Sequence, residues 1–175
     1  MHISALRHRA LTIVAGAGLV LSGAVVTASP AGATRCGEAG SYYTVSGSAT
    51  RMPFKNVPVF KDGPGGKMIV SRSYSGSVSY GVVAGAESEV GAVLAKAKVS
   101  ISASLTRTNT TQTTHVYERK ITRGKFGNVR YVTWGKRVAW KKKKERLDCS
   151  VDVLAKGVIR FPAQKEGWFY WETNN

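Results

Sequence analysis

The chain has 175 residues, with 26 Lys plus Arg against 10 Asp plus Glu, a formal net charge of +16 and two cysteines. This length suits one domain, and 43% apolar residues can bury a core, so the composition excludes wholesale disorder. Collagen-like and cysteine-dense scaffolds are excluded as well. The 19 glycines and the many Ser, Thr, Val and Tyr residues favour strands joined by tight turns.

Residues 1–33 have the pattern of a cleaved secretory signal peptide. Arg7 and Arg9 form a basic start, residues 10–26 form an uncharged apolar run, and residues 31–33 (Ala-Gly-Ala) supply small side chains for cleavage. An uncleaved membrane anchor is the alternative, but this run is short for a span of about 20 residues. Cleavage leaves 24 basic and 10 acidic residues, and we predict a secreted, extracellular protein.

The rest of the chain is predicted to form a Gly/Ser-rich N-terminal arm, residues 34–50, and a single β-rich domain, residues 51–175. Cys36 and Cys149 lack metal-ligand spacing, and two thiols in an oxidising compartment most simply form one disulfide. A free nucleophilic thiol and an intermolecular bridge are the alternatives. We predict the Cys36–Cys149 disulfide.

Residues 93–105 alternate between apolar and polar side chains, which is typical of a strand with one dry face. The apolar positions are Val93, Ala95, Ala97, Val99, Ile101, Ala103 and Leu105. A helix is the alternative, because four apolar residues within 90–101 also have helical spacing. Gly91 and the serines that follow lower helix propensity, so we predict a strand from Ala95 onward and leave residues 84–94 open.

Further strands are predicted downstream. A turn near Asn109 precedes a second long strand that ends at Arg123, and residues 129–140 form a third extended run that continues to Lys144. Short strands follow up to Trp171. The predicted fold class is therefore all-β, an elongated antiparallel sheet or β-sandwich with unusually long Ser/Thr-rich strands and one disulfide.

Little in the sequence points to catalysis. His115 is the single histidine after residue 33, and the serines lack a Gly-x-Ser-x-Gly motif. Glu87 and Glu89 would lie on one face of a strand, but solvated charges beside a turn are the simpler interpretation. We predict no catalytic residues, no metal site and no cofactor, and we do not expect an enzyme.

The basic residues are concentrated in one region. Residues 119–146 contain half of those after residue 33 and only one acid, Glu145. Such charge density attracts anionic lipid headgroups or cell-wall polymers, and interleaved aromatic residues can anchor at an interface. A solubilising face is the alternative. The predicted contact residues are Arg130, Trp134, Lys136, Arg137, Trp140, Lys141, Lys142, Lys143, Lys144 and Arg146.

Four aromatic residues are consecutive near the C-terminus. In a strand, Trp168 and Tyr170 would face one way, and Phe169 and Trp171 the other. We expect at least one pair to fill the core. Exposed aromatic residues at this end would suit sugar faces or a membrane interface.

Four segments resemble a known family in composition and order, without a specific motif. They are residues 85–91, the alternating strand, the Thr-rich residues 108–114 and the turn at 124–128. Together, residues 78–144 resemble the membrane-insertion region of aerolysin-type β-pore-forming toxins. The resemblance implies that residues 84–94 form an amphipathic tongue, which unfolds into a transmembrane hairpin when several chains assemble.

The sequence therefore predicts a secreted cationic β-protein that binds an anionic membrane or a cell-wall polymer. Membrane activity or pore formation by a homo-oligomer on the membrane is the further hypothesis. A non-lytic binding module for cell-wall polymer or glycan is the alternative. The predicted export argues against nucleic acid as the physiological partner.

Overall fold

The computed structural model describes residues 36, 40–70, 73–85, 87–114 and 116–175, so the predicted signal peptide lies outside the described residues. These residues form antiparallel sheets and one α-helix, which confirms the all-β prediction. The elements are β1 Tyr42–Pro53, β2 Phe60–Asp62, β3 Gly66–Val70, β4 Ser73–Ser79, β5 Gly81–Ala84, a 3₁₀ turn Glu87–Glu89, α1 Val90–Ser100, β6 Thr108–Thr114, β7 Tyr117–Ile121, β8 Phe126–Glu145, β9 Val151–Phe161 and β10 Glu166–Thr173.

The largest sheet is built around β8, which is 20 residues long and contains the whole predicted run up to Lys144. Strands β1 and β2 pair with one edge of β8, β9 and β10 pair with the other, and β5 pairs with β9. Successive side chains of a strand point to opposite faces of the sheet. We call these the even face and the odd face, after the residue numbers in β8.

The odd face is covered along the first half of β8. The two-stranded sheets β3–β7 and β4–β6 supply the cover. Val129 and Tyr131 are buried there, and Trp168 and Tyr170 of β10 pack beside them. Burial and a hydrogen bond to Glu172 raise the pKa of Tyr170 to about 12. The other buried members are Met52, Phe54, Val57, Met68, Val70, Val78 and Ile121.

The even face is covered along the second half of β8, by α1. The sheet contributes Val138, Trp140, Ile159 and Phe161 to a buried apolar cluster. The helix contributes Val90, Val93, Leu94 and Ala97. The two halves of β8 thus place their main apolar clusters on opposite faces, and Asn128 and Val132 of the even face are buried as well.

The prediction of a strand from Ala95 onward is wrong, because residues 90–100 form α1 and residues 101–107 form turns with one isolated bridge at Leu105. The buried helical residues are spaced i, i+3, i+4 and i+7, which makes one continuous stripe toward the sheet. On this helix Val93 is fully buried, whereas Val99 is 87% exposed. The candidate insertion residues therefore separate: Ala95, Val99 and Ala103 are exposed, Val93, Ala97 and Leu105 are buried, and Ile101 is half-buried.

The C-terminal end of α1 approaches β1 closely at Gly47. A Cβ at Gly47 would lie 2.9 Å from two side-chain carbons of Ile101. Beyond the helix, Leu105 forms an isolated antiparallel bridge to Ala163. The serines that lower the helix propensity of this segment lie at the last residue of α1 or after it.

Strand β1 runs across residue 50, where the sequence places the boundary between arm and domain. Tyr42–Pro53 pairs along its whole length with β8. It is the long hydroxyl-rich strand of the sheet, whereas the Thr-rich β6 has seven residues. Residues 42–50 are therefore part of the central sheet.

The disulfide between Cys36 and Cys149 is confirmed, with a Cα–Cα distance of 4.9 Å and a sequence separation of 113 residues. It joins the segment before β1 to the turn between β8 and β9. Disulfides persist in oxidising environments, so the bond is consistent with an oxidising compartment. No helix among the described residues is long and apolar enough to cross a bilayer.

The start of α1 is fixed to the sheet by Glu89. Its carboxylate accepts hydrogen bonds from the Tyr43 hydroxyl and, at 3.1 Å, from the Lys142 ammonium group. These two donors, the Tyr43 hydrogen bond first, hold the pKa of Glu89 below its ordinary value of 4.5. The hydrogen bond to Glu89 raises the pKa of Lys142 above 10.5.

Substitution Glu89→Gln is expected to lower the midpoint of thermal unfolding at neutral pH and to weaken its dependence on acid. The stabilisation by the Glu89 carboxylate is present above pH 4.5 and is lost as the pH falls through the depressed pKa. The stabilisation by the protonated Lys142 ammonium group is present below pH 10.5 and is lost as the pH rises through its raised pKa. Thermal unfolding from pH 2 to 8 measures the first effect. Glu87→Gln is the control, and equal curves for the two variants would contradict the role of Glu89.

Candidate functional site

The odd face along the second half of β8 is accessible to solvent, and most of its long side chains are basic. The register aligns neighbouring strands in rows: Ser48, Arg137 and Arg160 form one row, and Thr44, Lys141 and Lys156 form another. Between them lies the row Ser46, Ala139 and Val158. We call the five cations of this face the basic patch: Arg137, Lys141, Lys143, Lys156 and Arg160.

Two cross-strand pairs of the basic patch join like charges. Arg137 is directly opposite Arg160, and Lys141 is directly opposite Lys156. Residues in such positions have Cβ atoms about 4.5–5.5 Å apart, and like charges there destabilise the sheet. The three ion pairs recorded among the described residues include no member of the basic patch. An anionic ligand would relieve this repulsion.

A shallow groove of about 590 Å³ runs over the basic patch. Lys141, Lys143 and Lys156 line it together with Thr44 and Ser46 of β1. Ammonium groups and hydroxyls are donors that suit the oxygens of phosphate or carboxylate groups. Ala139 and Val158, which lie between the two basic rows, also line the groove.

Exposed apolar side chains surround the turn between β8 and β9, at the end of the basic patch. Leu147 is 80% exposed, and the others are between 39% and 52% exposed. We call this group the apolar tip: Tyr42, Leu147, Val151, Val153 and Leu154. Both Tyr42 and Val153 are paired with Lys143, so apolar and basic side chains adjoin each other. The disulfide lies at the same end of the sheet.

The structure distributes the predicted contact residues over several surfaces. Arg137, Lys141 and Lys143 belong to the basic patch. Arg130, Trp134 and Lys136 lie on the even face, as do Lys142 and Lys144. Arg146 follows β8 and donates to Asp152 at 2.6 Å, which raises the pKa of Arg146 above its ordinary value.

Trp140 is the clearest correction among the predicted contact residues. It is 2% exposed and belongs to the core under α1, so its side chain does not reach a surface. Its neighbour Gly157 leaves little room for change, because a Cβ there would lie 2.2 Å from the Ala84 carbonyl oxygen and 2.9 Å from the Trp140 indole nitrogen. Alternation with lysines indicated a surface strand, but α1 covers this face.

Lys156 and Arg160 were missed as contact residues. Their spacing of four places them on one face of a strand, which the sequence shows. Their position opposite Lys141 and Arg137 depends on the β8–β9 register, which includes a bulge between Lys142 and Lys143. The sequence alone does not fix that register.

Among the described residues, the acidic and histidine candidates from the sequence are not brought together in one site. Glu87 is exposed in the 3₁₀ turn, Glu89 is engaged by Tyr43 and Lys142, and His115 lies outside the described residues. One group of potential metal ligands, Cys36, Glu145 and Cys149, lies within 4.8 Å, but both of its sulfurs form the disulfide.

The fold and this surface define a cationic all-β protein with an open basic sheet face. Comparison with protein-family models gives no match, and comparison with curated proteins finds no similar sequence.

Proposed function

We propose that the protein is secreted and attaches to the surface of anionic membranes through the basic patch and the apolar tip. The observation that carries this proposal is that the two groups are neighbours in the sheet register. Exposed apolar side chains at the β8–β9 turn directly adjoin a sheet face with five cations. A bilayer interface offers both complements, anionic headgroups and a boundary region that accepts apolar side chains.

Each part of the surface contributes differently to the binding free energy. A Lys or Arg near an anionic membrane contributes about 1 kcal/mol, and salt screens this attraction. Burial of the apolar tip contributes through the hydrophobic effect, which salt does not screen. Binding to anionic vesicles should therefore weaken at high salt without disappearing.

The proposal is attachment and does not include pore formation. The resemblance to aerolysin-type toxins suggests that residues 84–94 insert into the membrane, with the alternating segment beside them. In the structure, Val93 and Ala97 of that segment are fully buried against the sheet. Their release would expose the apolar core under α1, whereas attachment leaves the fold intact.

Replacement of Lys141 and Lys156 by Ser is expected to weaken binding to phosphatidylglycerol-containing vesicles by about thirtyfold at low salt, since two cations are lost. Replacement of Leu147 and Leu154 by Ser is expected to remove the binding that remains at high salt. Co-sedimentation with vesicles measures both effects, and vesicles of phosphatidylcholine alone should bind little protein.

Matched controls keep the same chemical changes away from the site. Lys55→Ser with Lys120→Ser removes the same charge from exposed positions elsewhere, and Ile69→Ser with Val99→Ser removes exposed apolar side chains. These controls should bind as the unmodified protein does. Equal losses in site and control variants, or equal binding to neutral vesicles, would refute the proposal.

A further inference from the structure

A second open surface lies on the even face, along the first half of β8. The register brings five side chains to it from three strands: Arg51 is opposite Trp134, Phe169 is opposite Arg130, and Trp171 is opposite Asn128. We call this group the aromatic patch: Arg51, Arg130, Trp134, Phe169 and Trp171. None of its members belongs to the three buried apolar clusters of the described residues.

The aromatic patch carries cations, and the neighbouring carboxylates point away from it. Asp62, Glu166 and Glu172 are paired with odd-numbered residues of β8, so they belong to the odd face. There Glu166 accepts hydrogen bonds from Asn109, Thr111 and Tyr131. The alternation of β2 and β10 therefore separates the charges, and leaves the even face positive.

Arg130, at the centre of the patch, has a buried hydrogen-bond donor without an acceptor in the described part of the chain. Its Nε atom is buried and has no hydrogen-bond partner among the described residues. A buried donor without an acceptor is costly, and a guanidinium group favours carboxylate or phosphate oxygens. An anionic group bound at Arg130 would satisfy this donor after a shift of the side chain that exposes the Nε atom.

The aromatic rings form a preassembled platform around Arg130. Phe169 and Trp171 are stacked at 5.4 Å with an angle of 19°, and the Arg51 guanidinium lies 4.0 Å from the Phe169 ring centre. Trp134 meets Phe169 edge to face at 6.3 Å. Through Phe169, the ring centres of Trp134 and Trp171 lie no more than about 12 Å apart. The patch therefore suits a short segment of an extended ligand.

We infer that the aromatic patch binds an acidic polysaccharide, with a carboxylate of the sugar chain at Arg130 and sugar rings against Trp134 and Trp171. Single-stranded nucleic acid would need aromatic faces on which successive bases stack. Phe169 is already engaged, because the Arg51 guanidinium lies over its ring and Trp171 is stacked with it, so it is not free to take a base. The disulfide is also consistent with an oxidising compartment. This site lies on the face opposite the basic patch and is independent of the membrane proposal.

Titration with oligogalacturonate tests the inference by calorimetry. Arg130→Gln is expected to weaken binding about tenfold or more, because it removes a charge-assisted hydrogen bond. Arg51→Gln, at an exposed position, should weaken binding by a smaller factor and serves as the second variant if Arg130→Gln does not fold. A neutral malto-oligosaccharide of equal length should bind at least tenfold more weakly than oligogalacturonate does.

The controls separate the two surfaces of the sheet. Lys141→Ser with Lys156→Ser should leave oligogalacturonate binding within about twofold, since these residues lie on the other face. Arg130→Gln and Arg51→Gln should leave vesicle binding unchanged. Unaltered oligogalacturonate binding in both arginine variants, or tighter binding of oligothymidylate than of oligogalacturonate, would overturn the inference.

Discussion

Replacement of Val93 by Asp is expected to cost about 5 kcal/mol and to unfold the protein at room temperature. Val93 is fully buried between α1 and the sheet, and the other members of its cluster are all apolar. A carboxylate at this position would lose its hydration without gaining a partner. Circular dichroism and urea titration measure the loss.

The matched control is Val99→Asp in the same helix. Val99 is 87% exposed, so the expected cost is about 0.5 kcal/mol, which arises from a negative charge near the helix C-terminus. The two positions distinguish helix from strand, because residues six apart would share one face of a strand. Equal destabilisation by the two substitutions would contradict the helix.

Removal of the disulfide is the second large effect. Cys36→Ser with Cys149→Ser is expected to lower the free energy of unfolding by about 4 kcal/mol, since the bond closes a loop of more than 100 residues in the unfolded chain. Urea titration measures the difference between the variant and the oxidised protein. Changing both cysteines avoids a free thiol.

The unmodified protein in reductant is the control for the disulfide variant, and both should have the same urea midpoint. The apolar tip adjoins the bond, so vesicle binding is a second measurement on the same samples. A loss of stability below about 1 kcal/mol would contradict the loop-closure argument.

The central strand was predictable because its sequence is rich in residues that favour strands. From Val129 to Trp140, β-branched and aromatic residues predominate, and a glycine-containing turn precedes them. The disulfide was predictable from the number of cysteines and the expected compartment. Both features depend on local sequence or simple counting.

The helix was not predictable, because residues 90–105 satisfy two periodicities. Val93 and Ala97 fit the apolar side of a strand and also the apolar stripe of a helix. The choice depends on the surface that receives them, which Val138 and Trp140 form far along the chain. Tertiary packing against this surface therefore decides between the two patterns.

The basic patch was predictable only in part, for a related reason. The density of lysines in β8 is visible in the sequence, but the strand presents them on two faces. The lysines on the α1 side of the sheet and the lysines in the open groove alternate along the same segment. The contributions of Lys156 and Arg160 depend on the pairing of β9, which long-range contacts determine.

Strand β8 contributes side chains to the three buried clusters, to the basic patch and to the aromatic patch. The number of residues in β8 therefore matters to the fold as much as their identities. Loss of one residue between Trp134 and Arg137 would turn Arg137, Lys141 and Lys143 toward α1 and would turn Val138 and Trp140 toward solvent. A substitution in β8 changes one side chain, whereas a deletion there changes the face that every later side chain of the strand occupies.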